Sequence, residues 1–259
     1  MPCVIPLSKG HDVDGTYFWI LAVVAAVCTG LSKGGLPAVS MLSVPVLSLV
    51  ISPITAAGLL LPVYLFSDVF GVWAYRHDFR ADLLKIAAVG MLIGGAIGWA
   101  TASLESERLV RALIGLIGAS FALSLLLRRT GDVAPRPATW GRGIFWTTIA
   151  GFTSFVSHAG APPWQIWLMP MKLQKMAFAG TTTIAFAMMN VTKIVPYYYL
   201  GQFDPQNLRV AAMLLIPALV GVYVGYRLTR LLPDRLFFGF VTWALLGVSI
   251  KLIWDGVIG

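Results

Sequence analysis

The strongest constraint on this chain is an apolar run that is too long for one membrane crossing and is broken in its middle. From Tyr17 to Val50 the run covers 34 residues, interrupted by Lys33-Gly34-Gly35-Leu36-Pro37. A spanning helix uses about 20 apolar residues, and Gly together with Pro opens the backbone ladder. The run therefore reads as two short helices meeting at a turn. A second run, Gly143 to Pro170, is broken by Ser157-His158-Ala159-Gly160-Ala161-Pro162-Pro163. Six further runs, at 55–75, 83–104, 109–127, 176–200, 208–226 and 236–254, each fit one crossing. Only 12% of residues are charged and 58% are hydrophobic, whereas a soluble domain carries about 25% charged residues. The chain lacks the polar residues to cover a soluble core. An all-α integral membrane protein is expected.

The two breaks correspond. Gly35, Pro37 and Pro45 match Gly160, Pro162 and Pro170 at a constant offset of 125, with Lys33 opposite His158. Gly58 and Asp68 match Gly180 and Asn190 at offset 122, and Gly94 and Gly98 match Gly221 and Gly225 at offset 127. The chain thus reads as a duplicated unit: a first transmembrane repeat over 16–127 and a second over 143–259. The polar stretch 128–142 joins them as a cytoplasmic linker, and 1–15 is a short extracytoplasmic segment. Lys9, Asp12 and Asp14 make a poor positive flank for a cleaved signal, so the first run reads as mature protein.

Charge placement sets the orientation. If each broken run is a hairpin returning to its side of entry, every half crosses an odd number of times and the two repeats are inverted. The segments 76–85, 128–142, 172–175 and 227–235 then lie inside with twelve Lys and Arg, against five outside. If each broken run crossed once, the division would be ten and seven. The positive-inside rule favours broken re-entrant hairpins, each followed by three transmembrane helices, with both termini outside the cell inner membrane. The net charge of +8 accordingly reads as membrane orientation, and no nucleic-acid partner is expected.

Inverted repeats with interrupted helices mark secondary transporters, whose sites form where the broken helices meet. Helix ends inside the membrane leave unpaired N–H groups that attract anions. Ionisable residues within apolar runs point the same way, since burial is costly unless they are paired or wet. These are Lys33, Asp68, His158 and Lys193. Lys33, beside Gly34 and Gly35, reads either as an anion-attracting charge or as a lysine snorkelling to the interface. His158 could donate to an anion or hold the turn. Asp68 reads as a proton-coupling carboxylate or a structural partner for a lysine. Asn190, Lys193 and Tyr197 form a polar stripe at helical spacing that should face the interior. With Gly160, Gln165 and Thr182 these residues make a candidate site whose charge suits a small anion. Ser157 beside His158 suggests a less favoured intramembrane enzyme, and an anion channel is a further alternative. Two cysteines and three histidines, without ligand spacing, give no reason to expect a metal or cofactor. The expected partners are a small anionic substrate and membrane lipid, with a homodimer left open.

The stretches GLSKGGLPAVSMLSVP from Gly30 to Pro45, SPITAAGLLLPVYLFSDVFGVWAYRHDF and LIGGAIGW resemble the first half of the TauE/SafE sulfite exporter family. GAPPWQIWLMP and FAGTTTIAFAMMN resemble its repeated unit, so the likeness spans roughly 16–256. It implies transport, often outward, of sulfite, organosulfonates or related sulfur oxyanions, and it assigns no role to Lys33, Asp68, His158 or Lys193. The SHAGAPP break departs from the Gly-rich form of that pattern.

Overall fold

The computed structural model describes residues 15–102, 107–127 and 135–231, and nine positions between 243 and 257. Most of the segment expected over 1–15, the first part of the linker expected over 128–142, and much of the last expected span, 236–254, lie outside the described residues. Every element among the described residues is helical: α1 (Thr16–Lys33), a 3₁₀ turn (Pro37–Val39), α2 (Ser40–Leu47), α3 (Pro53–Ala74), α4 (Ala81–Thr101), α5 (Glu107–Leu126), α6 (Trp140–Ser157), α7 (Ala161–Leu168) with a 3₁₀ turn (Met169–Met171), α8 (Lys175–Tyr199) and α9 (Pro205–Leu231). The nine described positions near the C-terminus are helical too. Helices α1, α3, α4, α8 and α9 are long and apolar enough to cross a membrane. Large apolar side chains such as Ile20, Val69, Leu92, Ile216 and Val220 point outward, as lipid-facing surfaces do.

Each broken run is interrupted where expected, but its arms are unequal. Helices α1 and α6 have 18 residues and α2 and α7 have 8. At 1.5 Å per residue these are about 27 Å and 12 Å, so a spanning-length arm is followed by a half-length one rather than by an equal partner. Local chemistry fixes where each arm ends. Gly35 stops α1 at φ +112°, a conformation open to glycine. Ser52 caps α3, its Oγ accepting from the Thr55 N–H at 3.2 Å, with Pro53 at the first helical position. That start leaves α2 only eight residues. In the second run the left-handed residue is His158, at φ +54°, two positions before the glycine that the repeat aligns with Gly35. Gly160 has an ordinary helical φ of −75°; a Cβ there would press on the Ala150 carbonyl and Phe186.

Helix α2 folds back along α1. Thr29 Oγ1 donates to Ser43 Oγ at 3.2 Å, and Val44, Leu47 and Ile51 share a core with Phe18, Ala22 and Ala25. The hairpin tips do not meet end to end; they pass each other. The Gly34 carbonyl accepts from Tyr75 Oη at 2.6 Å and Thr229 Oγ1 at 3.2 Å, residues at the C-terminal ends of α3 and α9. His158 Nε2 lies 3.1 Å from the carbonyl of Ala57, near the opposite end of α3. Both tips therefore penetrate past the middle of the bundle.

The halves interlock by exchange, α1 lying on α9 and α6 on α4. Without a hydrophobic drive between helices in lipid, close backbone approach supplies much of the packing. A Cβ on Gly221 or Gly225 would sit 2.6 Å from the carbonyl of Val27 or Leu31, and one on Gly94 would run into the Thr148 carbonyl. Gly90, Gly94 and Gly98 pack on α6, while Gly95 faces Met189.

The basic segments gather at one end. The Arg80 N–H donates to Thr181 Oγ1 at 3.0 Å, the Arg136 N–H donates to the Pro170 carbonyl at 3.0 Å, and Arg76 lines one groove with Arg227 and Arg230.

Candidate functional site

Where the two tips overlap, α3 and α8 bring their polar faces together. Asp68 and Asn190, equivalent in the repeat, touch directly: Asn190 Nδ2 donates to Asp68 Oδ2 at 2.7 Å. The other carboxylate oxygen, Oδ1, pairs with Lys33 Nζ at 2.6 Å. Asn190 Oδ1 in turn accepts from Lys193 Nζ at 3.3 Å. Lys193 also donates to the Ser154 carbonyl at 2.6 Å and Ser154 Oγ at 2.9 Å, and lies 3.1 Å from His158 Nδ1. An unbroken polar chain thus runs from the first break through α3 and α8 to the second. Tyr64 sits between the breaks, with Lys33 Nζ 5.2 Å from its ring centre and the His158 ring stacked on it at 4.5 Å.

Hydrogen-bond direction assigns the charges. A carbonyl only accepts, so His158 Nε2 must carry its proton toward Ala57. His158 Nδ1 faces the Lys193 ammonium and accepts from it, which makes the ring neutral. As an ammonium, Lys193 donates to the Ser154 carbonyl and hydroxyl, to Asn190 Oδ1 and to His158 Nδ1. Lys33 and Asp68 cancel. Lys193 is fully buried, and no carboxylate among the described residues lies within ion-pair distance of it. Protonated, Lys193 gives the centre one positive charge beyond the Lys33–Asp68 pair. That charge is held by neutral dipoles, which makes it costly to bury.

Other candidates divide. Lys33, His158, Thr182 and Asn190 line a central cavity of about 20 Å³ with Ser32, Tyr64, Ser154 and Thr183, room for about one water. Lys33 neither snorkels nor stands free; it is 3% exposed and paired. Thr182 Oγ1 donates to the Phe178 carbonyl at 2.7 Å and accepts from Trp164 Nε1 at 2.9 Å, so its proton is taken. The N–H groups of Gly34 and Gly35 bond to the Gly30 and Ser32 carbonyls, so neither offers a free donor. Gln165 is buried but does not line the cavity. In α7 the first turn contains Pro162 and Pro163, which have no N–H, and the Trp164 N–H bonds to Gly160. The positive character of the site thus comes from Lys193 rather than from helix ends. Ser157 Oγ donates to the Thr153 carbonyl at 3.3 Å and His158 is turned to Ala57 and Lys193, so these two do not pair.

Two residues outside the candidate set belong at the centre. Ser154 lies one turn before His158 and Tyr64 one turn before Asp68, so helical spacing from the ionisable residues would have found both. The repeat reaches further than its glycines: Tyr75 and Tyr197, 122 apart, donate to the carbonyls of Gly34 and Phe155, each at 2.6 Å.

A multi-pass helical bundle with a buried polar centre between two broken helices has the form of a membrane transporter. A family model described as "Sulfite exporter TauE/SafE" matches residues 21–252, and the chain belongs to that family. No curated protein and no solved structure matches it.

Proposed function

We propose that this protein is a secondary carrier of the inner membrane that exports a small sulfur-containing anion, sulfite or a short organosulfonate, through the overlap of its two hairpins. The observation that carries this reading is the uncompensated ammonium of Lys193, buried on α8 beside Ser154, His158 and Asn190. An inside-negative potential favours outward anion movement by about 2.3 kcal/mol per charge per 100 mV, so export needs no nucleotide. The cavity of about 20 Å³ is too small for sulfite, with its sulfur and three oxygens. Transport therefore requires the centre to open. Each tip supplies a seal: the first hairpin lies at the basic end beside Tyr75 and Thr229, the second at the other end beside Ala57. Retracting one and then the other gives alternating access from the two sides.

Asp68 occupies Lys33 Nζ and Asn190 Nδ2, donors an anion would use, and so acts as a resident competitor. Its protonation frees Lys33 and would tie the anion to a proton.

In proteoliposomes of the purified chain loaded with labelled sulfite, saturable efflux is expected, rising as the interior is made negative. Efflux no greater than from protein-free vesicles overturns the proposal, and flux that fails to saturate replaces the carrier with a channel.

A further inference from the structure

We infer that a groove at the basic end, between the ends of α3 and α9, is a binding site for an anionic phospholipid. This inference is independent of the transported solute. The groove has a volume of about 740 Å³ and is walled by Phe70, Trp73, Leu219, Val222, Tyr223 and Leu231. Three guanidiniums stand along it, Arg76, Arg227 and Arg230, and no carboxylate among the described residues lines it. Each is laid over an aromatic ring: Arg76 over Trp73 at 4.8 Å, Arg227 over Tyr223 at 5.2 Å, Arg230 over Tyr226 at 4.6 Å.

That geometry matches one chemistry. Stacking on a ring face leaves guanidinium edges free to donate, and a phosphodiester accepts such forks in bidentate fashion. Arg76 spends one N–H on the Trp73 carbonyl at 2.7 Å, which fixes its plane. Trp73 and Tyr223 are 66% and 59% exposed, and both are residue types that settle at headgroup depth. The apolar walls continue along the helices, where an acyl chain would lie. A soluble phosphate would use the arginines and leave those walls bare; a phosphatidylglycerol covers both. The groove also backs onto the first hairpin. The Tyr226 ring packs on Tyr75 at 5.6 Å, and Tyr75 holds the Gly34 carbonyl, so a lipid here braces one of the two tips.

Native mass spectrometry of the detergent-solubilised full chain, titrated with dioleoyl phosphatidylglycerol or phosphatidylcholine, tests the site. Phosphatidylglycerol should bind tighter. Because each interfacial cation contributes about 1 kcal/mol, its affinity should fall about five-fold per Arg→Gln change and on the order of a hundredfold in Arg76→Gln/Arg227→Gln/Arg230→Gln. Arg80→Gln, an exposed arginine paired with Asp82 outside the groove, should change nothing. Should the triple variant fail to fold, Ala74→Trp, which fills the groove from its wall, should likewise displace the lipid. Equal binding of the two lipids, retention of phosphatidylglycerol by these variants, or its displacement by an equal concentration of inorganic phosphate would overturn the assignment.

Discussion

Lys193→Met is expected to reduce sulfite efflux at least a hundredfold while leaving the protein folded. The substitution keeps roughly the length of the side chain and deletes a buried ammonium that no carboxylate among the described residues pairs with. A unit charge 4 Å from an anion is worth about 4 kcal/mol at the effective dielectric of a partly wet site, which sets the scale of the loss. Folding should survive because removing an unpaired cation strands no opposite charge. The cost is confined to Ser154, Asn190 and His158, which lose a donor. Efflux of the variant measured beside the wild type, with size-exclusion profiles for both, decides the matter. Flux within twofold of wild type would remove Lys193 from the site.

The second large effect falls on stability. Lys33→Ala leaves the Asp68 carboxylate buried without its cation, and stranding one member of a buried pair costs about 3–5 kcal/mol. Melting in detergent should drop by on the order of 10 °C for a chain of this size. Lys33→Met/Asp68→Asn removes both charges and keeps an acceptor for Asn190, so it should recover most of the loss. Additive losses in the double variant would show that the 2.6 Å contact carries no coupling. Asp68→Asn alone adds a second free cation, and wherever it folds it should bind sulfite more tightly.

Much of this architecture was legible in the residues. Gly and Pro inside apolar runs marked both breaks, and the offset of 122 paired Asp68 with Asn190, which are in contact. The helical stripe Asn190, Lys193, Tyr197 is buried as its polarity requires. Other features left no readable trace. The Lys33–Asp68 pair spans 35 positions without any periodic signal. The unequal arms follow from the Ser52 cap and from a left-handed His158, and a non-glycine residue at positive φ is too uncommon to anticipate when Gly160 stands two positions on. Tyr64 and Ser154 carry only a weak signal, because an aromatic ring or a hydroxyl costs little in an apolar helix and announces no function. Pro162 and Pro163, by contrast, already told that α7 would begin with few donors.

The most direct test of the central claim is a structure of the protein in lipid nanodiscs with saturating sulfite. Ligand density is expected within hydrogen-bond distance of Lys193 Nζ, in a centre widened between residues 33–37 and 154–158. Sulfite bound elsewhere, with the Lys193 contacts to Ser154 and His158 intact, would contradict it.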